Sequence, residues 1–196
     1  MLVNFAKYIS YIFEPFTVSF LTLLIVVSSL DMSLINKLQW LALAVVMMGL
    51  PPIVVYLYEK TTGKIKDWFM TNRAERKDVQ FAWFFGAASF SLLAWYLEAP
   101  RLLLALGLTL LCLSLLITLV NFYWKISVHM MGVSLFVMIA IFVYSLALSW
   151  LVFLIFLVGW ARIKLGAHTF LQVSFGAILT IVVFYTVFGI FGLVTF

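Results

Sequence analysis

Leu102 to Tyr123, LLLALGLTLLCLSLLITLVNFY, runs without a charged residue for the length of a membrane-crossing helix. A helix rises about 1.5 Å per residue and the hydrocarbon layer is roughly 30 Å thick, so about 20 apolar residues span it. The pattern repeats on both sides. Similar runs fall at Tyr8 to Leu30, Leu38 to Tyr58 and Phe81 to Leu97, and Met130 to Trp160 is too long for one span, with its natural break at Ser149-Trp150. A last uncharged run extends from His168 to Phe191. The expected architecture is all-α, a polytopic integral membrane helical bundle of about six or seven transmembrane helices.

Composition agrees. Of 196 residues, 66% are hydrophobic and 10% charged, and the mean hydropathy of +1.22 is far outside the soluble globular range. No polar stretch is long enough to fold separately, so residues 1–196 are expected to form one domain. The net charge of +5 reads as loop bias and attraction to anionic lipid, since the bases are not gathered on a soluble face. Membrane lipids are thus the expected surroundings, nucleic acid is not an expected partner, and the composition leaves room for a homo-oligomer.

The N-terminal run contains Glu14 and Pro15 and lacks a small-residue cleavage site, so it is read as a retained first span. Glu14 reads as interfacial, with a gating or base-orienting role as the other option. Pro51-Pro52 should kink the second span or break it in two, leaving a defect that a packing partner must cover. The single cysteine, Cys112, lies in an apolar run and is expected to be a buried structural thiol. Trp40, Trp83, Trp95, Trp124, Trp150 and Trp160 fall near proposed span ends, where amphipathic rings prefer to lie.

Three polar stretches interrupt the hydrocarbon. Glu59 to Gln80 holds ten of the nineteen charged residues. Glu59, Lys60, Lys64, Glu75, Arg76, Lys77 and Asp78 there read as a solvated connector with paired signs. Trp124 to Met131, WKISVHMM, opens the fifth span. Ala161 to Gly176, ARIKLGAHTFLQVSFG, places Arg162, Lys164 and His168 between two spans. Ionisable groups at membrane depth cost a few kcal/mol unless they snorkel or line a wet cavity, which makes such a cluster a functional-site hypothesis. Lys125 and Lys164 read as snorkelling interfacial bases. An even number of spans separates the three stretches, so all three are expected on one side of the membrane.

Taken together they give Lys66-x6-Arg73, Ser127-Val128-His129 and Arg162-x5-His168-x3-Gln172. This order and spacing resembles the type 2 phosphatidic acid phosphatase family, whose blocks read KxxxxxxRP, PSGH and SRxxxxxHxxxD and whose architecture is shared with the vanadium haloperoxidases. The only two histidines, His129 and His168, fall on the family's histidine positions. The chain departs from the pattern at Ala74, Ile126, Val128, Ala161 and Gln172, the last in place of an aspartate. In this it resembles a branch of small prokaryotic members with glutamine at that point.

The resemblance implies that His168 is a nucleophile forming a phosphohistidine, that His129 is the general acid, and that Lys66, Arg73 and Arg162 bind phosphoryl oxygens. Dispersed cationic donors suit phosphoryl transfer, and on this reading neither a metal nor a cofactor is required. His168 is expected to open the last helix, with Gln172 one turn along the same face and its oxygen accepting from the imidazole. Ser127 is either a phosphate donor or a helix N-cap.

The function implied is a lipid phosphatase acting on an isoprenyl or glycerolipid phosphate or diphosphate, within phospholipid metabolism in a prokaryotic plasma membrane. The alternatives are a lipid-to-lipid phosphotransferase and a non-catalytic lipid-phosphate binder or transporter. Ten Lys and Arg residues would lie on the site's side against Lys37 and Arg101 on the other, which places the site in the cytoplasm.

Overall fold

The computed structural model of the chain describes residues 1–68, 70 and 72–194, and all regular structure among them is helical. In order it contains α1 (Leu2–Ile12), α2 (Pro15–Ser29), α3 (Leu34–Ala44), α4 (Leu50–Thr61), α5 (Lys77–Tyr96), α6 (Arg101–Tyr123), α7 (Val128–Val143), α8 (Val152–Lys164) and α9 (Phe170–Ile190). Among the described residues, five helices are long and apolar enough to cross a membrane, or six if α1 and α2 count together. The chain is therefore an all-α protein of multi-pass membrane type. Its contacts divide between two compact units, one formed by Met1–Leu30 with the chain from Ile126 onward, the other by Asp31–Lys125.

In the first unit α7 is central, packing on α2, α8 and α9, while α1 packs on α8. Ala6 and Ile9 of α1 share an apolar cluster with Met130, Val133 and Val137 of α7, Val158 and Ala161 of α8, and Val173 and Ala177 of α9. The expected first span, Tyr8 to Leu30, is in fact two helices bent by 45°. Pro15 takes the first turn of α2, where a missing N–H costs nothing. Glu14 is its N-cap: its Oε1 accepts from the Thr17 N–H at 2.6 Å and the Thr17 hydroxyl at 2.9 Å. The 11 residues of α1 reach only about 16 Å, too short to cross.

The break after the fifth run also moves. α7 ends at Val143, and Ser145, whose hydroxyl accepts from the Ala147 N–H at 3.0 Å, starts a 3-10 turn over Leu146–Leu151 that leads into α8. Ser149 and Trp150 lie inside that turn, so the expected break there is corrected to Tyr144-Ser145. At 16 residues, about 24 Å, α7 falls short of the full hydrocarbon thickness.

In the second unit α5 packs on α4 and α6. Pro51 and Pro52 do not split the second span. α3, a π-helical turn at Val45–Gly49 and α4 form one apolar helix, Leu34–Thr61, with the prolines in the first turn of α4. The π turn accommodates them, because the Leu50 N–H reaches back to the Val45 carbonyl. Neither proline can donate to Met47, and α5 covers that carbonyl at Gly86, where an added Cβ would lie 2.3 Å from the Met47 oxygen. Close backbone approach at small residues is how helices associate without a hydrophobic drive between them. Cys112, expected to be buried, is half-buried on α6.

Candidate functional site

The link between α8 and α9 is built from local rules. Arg162 and Lys164 sit in the last turn of α8, where cations favour the negative end of the helix dipole. Gly166 adopts φ +64°, the left-handed conformation that ends helices. Its N–H donates to the Ile163 carbonyl at 2.9 Å, and the Ala167 N–H donates to the Arg162 carbonyl at 3.1 Å, completing a Schellman turn. The His168 N–H donates to that same carbonyl at 3.3 Å. The five residues between Arg162 and His168 are therefore one helix-terminating turn, which ties the two residues together through the arginine's own backbone.

His168 does not open α9, as the sequence led one to expect. The N-cap is Thr169 and the helix begins at Phe170, so His168 and Gln172 are not one turn apart on a helical face. Thr169 and Gln172 form a capping box: the Thr169 N–H donates to Gln172 Oε1 at 3.1 Å, and the Gln172 N–H donates to Thr169 Oγ1 at 3.4 Å. A threonine followed three residues later by glutamine is the signature of that motif, and it engages the oxygen assigned above to the imidazole.

On α7, Ser127 occupies the N-cap position, and its carbonyl accepts from the Met131 N–H at 3.2 Å. Its hydroxyl makes no capping bond, is fully buried, and has no hydrogen-bond partner among the described residues. His129 follows in the first turn and is buried.

Three contacts bring these residues to one end of the first unit. A Cβ on Gly176 of α9 would lie 3.0 Å from the Ser127 carbonyl oxygen, and one on Gly159 of α8 would lie 3.6 Å from the Met130 thioether and 3.0 Å from Val173. The start of α7, the end of α8 and the start of α9 thus meet. Ser127, His129, Arg162 and His168 are all buried there, Arg162 to 1% exposure, and the two histidines and the arginine all have interaction partners. Gln172 is half-buried beside them in sequence, and Lys164 is exposed.

Lys66 and Arg73 belong to the second unit, where both are exposed. Their loop, of which Phe69 and Thr71 lie outside the described residues, is folded rather than a solvated connector. Glu59, Glu75 and Arg76 are buried, correcting that expectation, while Lys64 and Lys77 are exposed and Lys60 and Asp78 are half-buried. The Lys66 N–H donates to Glu75 Oε2 at 3.2 Å and its carbonyl accepts from Lys60 Nζ at 3.0 Å. The Arg76 guanidinium donates to the Met70 carbonyl at 2.7 Å. Lys64 pairs with both Glu59 and Asp78, joining the end of α4 to the start of α5. Hydrogen bonds to Asp78 first, and to Glu59 second, hold its ammonium above the ordinary lysine range.

Arg73 lines a cleft of about 200 Å³ with Ala74, Lys77, Gln80, Thr118, Asn121 and Phe122. Gln80 and Asn121 escaped sequence reasoning, since a lone amide at the end of an apolar run carries no pattern of its own. Among the described residues no group of three or more His, Cys, Asp or Glu side chains is placed to hold a metal ion. Comparison with protein-family models, with curated proteins and with solved structures found no match for this chain.

Proposed function

We propose that the chain is an integral-membrane lipid phosphatase that cleaves a phosphate or diphosphate ester of an isoprenoid or glycerolipid through a phosphohistidine. The observation that carries this reading is the burial of Ser127, His129, Arg162 and His168 at one end of a helical unit of membrane type. A fully buried arginine is costly unless an anion or a hydrogen-bonded partner compensates it, and two histidines buried in the same unit would supply a nucleophile and an acid.

On this reading a ring nitrogen of neutral His168 attacks the terminal phosphorus, its bond to the leaving oxygen breaks (the lipid's own oxygen in a monoester, the bridging oxygen in a diphosphate), and protonated His129 gives that oxygen its proton. Water then attacks the phosphohistidine, His129 takes the water's proton, and inorganic phosphate leaves. The Arg162 fork and the Ser127 hydroxyl bind the non-bridging oxygens, where charge is spread in the transition state. The bias of Lys and Arg in the loops supports a reading in which the site faces the cytoplasm of a prokaryotic cell.

Purified protein should release phosphate from short-chain lipid phosphates, lose that activity in His168→Ala, and be inhibited by vanadate. Failure of the wild-type chain to hydrolyse any lipid phosphate or diphosphate overturns the reading. A second reading, a non-catalytic lipid-phosphate binder, draws support from the engagement of Gln172 Oε1 by the Thr169 N–H. It expects His168→Ala to spare lipid binding and Arg162→Ala to abolish it, with no turnover in either.

A further inference from the structure

The cleft in the second unit has a chemistry of its own. Arg73 and Lys77 stand at it as exposed cations, while Gln80 and Asn121 line it from buried positions, each 6% exposed. Gln80 Nε2 and Asn121 Oδ1 have no hydrogen-bond partner among the described residues. The rest of the lining is already committed or apolar. Thr118 Oγ1 donates to the Ser114 carbonyl at 2.7 Å, Asn121 Nδ2 donates to the Arg73 carbonyl at 3.4 Å, and Ala74 and Phe122 contribute hydrocarbon.

Buried amide atoms normally find partners, and leaving one unsatisfied costs about 1–3 kcal/mol. Two side chains of the lining that each carry an unpartnered amide atom, together with two cations, favour a ligand that is anionic and carries hydroxyl groups as well. The volume of about 200 Å³ is far more than a single water needs.

Position narrows the ligand further. The cleft lies where the apolar span Arg73–Tyr96 begins and the span Arg101–Tyr123 ends. Exposed aromatic side chains, Phe122, Tyr123 and Trp124, follow one another at the end of that second span. Aromatic residues of this kind mark the level at which lipid headgroups lie.

We propose that this cleft is a headgroup site for an acidic phospholipid bearing a hydroxylated headgroup, of the phosphatidylglycerol kind. Arg73 and Lys77 take the phosphate oxygens, Gln80 Nε2 donates to a headgroup oxygen, and Asn121 Oδ1 accepts a headgroup hydroxyl. Phe122 meets the first acyl carbons. The site needs neither histidine, and although the family resemblance assigns Arg73 to phosphoryl oxygens, Lys77, Gln80 and Asn121 have no part in the phosphatase reading.

Binding of phosphatidylglycerol and of phosphatidylcholine to the full chain in detergent can be counted by native mass spectrometry. Phosphatidylglycerol is a diester, so retention is read apart from monoester turnover. It should bind at least tenfold more tightly than phosphatidylcholine, and Lys77→Gln and Gln80→Leu should each weaken it roughly tenfold, the loss of one charge-assisted or buried hydrogen bond. Arg101→Gln, an exposed base outside the cleft, should leave it unchanged. Lys77 is itself exposed, so its variant tests the site even where Gln80→Leu fails to fold. Equal binding of the two lipids, displacement by millimolar inorganic phosphate, or full retention in Lys77→Gln overturns the proposal. Loss of phosphatase activity in His168→Ala with lipid retention intact would leave the cleft standing on its own.

Discussion

Replacing Gln172 separates its structural part from a chemical one. In the structure its side-chain oxygen accepts from the Thr169 N–H at 3.1 Å while its own N–H reaches Thr169 Oγ1 at 3.4 Å. Gln172→Ala removes the first bond and leaves an exposed N–H that water can serve, so the net loss is about 0.5–1 kcal/mol. For a chain of this size that is a fall in Tm of roughly 1–4 °C. Gln172→Glu keeps the capping box and adds negative charge at a helix N-terminus, which contributes about 0.3–1 kcal/mol. Thermal unfolding of the detergent-purified protein, followed by tryptophan fluorescence, should rank Glu at or above wild type and Ala below. Phosphate release measured in parallel should persist in the Glu variant within about tenfold. A Glu variant as unstable as the Ala variant, or an Ala variant of unchanged stability with no activity, would refute the capping assignment and give the side chain to the imidazole.

Gly86→Ala should loosen the packing of α5 on the π turn, because its Cβ would lie 2.3 Å from the Met47 oxygen; a loss of about 1–3 kcal/mol is expected, seen as a lower midpoint in detergent unfolding. Gly166→Ala places a Cβ at φ +64° and should cost about 1–2 kcal/mol, with phosphate release falling as the turn carrying His168 shifts. Gly63, also at positive φ with open space around it, gives the matched control, whose alanine variant should be destabilised without loss of activity. The Lys64 bridge has a defined pH sense: a raised folded value means that its stabilisation is complete below the ordinary lysine pKa of about 10.4 and is lost as pH rises through the higher folded value. Protease cleavage in the loop should therefore stay constant through neutral pH and rise only in strong alkali, and Lys64→Met should show the raised cleavage at neutral pH.

The spans were legible because lipid forces a long apolar run to be a helix, and α6, with no charge between Arg101 and Trp124, is read without ambiguity. Where helices stop was harder to read. Ser145 ends the fifth run with one hydroxyl bond, and Glu14 starts α2 with a carboxylate that accepts from a backbone N–H, although both residues sit in stretches whose hydropathy hardly changes. Pro51-Pro52 misled because a π turn can absorb the missing donors, a backbone solution that composition does not signal. In the candidate site, the sequence pattern singled out His129, Arg162 and His168, and all three are buried. The roles of Gln172 and His168 at α9 did not, because a pattern of spacings does not distinguish a residue within a helix from one just before its cap. Glu59, Glu75 and Arg76 looked like surface charges, since nothing in a mixed-sign run distinguishes the members that turn inward.

The turn from Arg162 to His168 also limits how a lineage of such chains can diversify. One carbonyl ends α8 and fixes where the histidine begins, so an inserted or deleted residue there would disturb helix termination and the site together. The exposed side chains of Lys66 and Arg73 lie outside that turn, so they can change without altering its geometry.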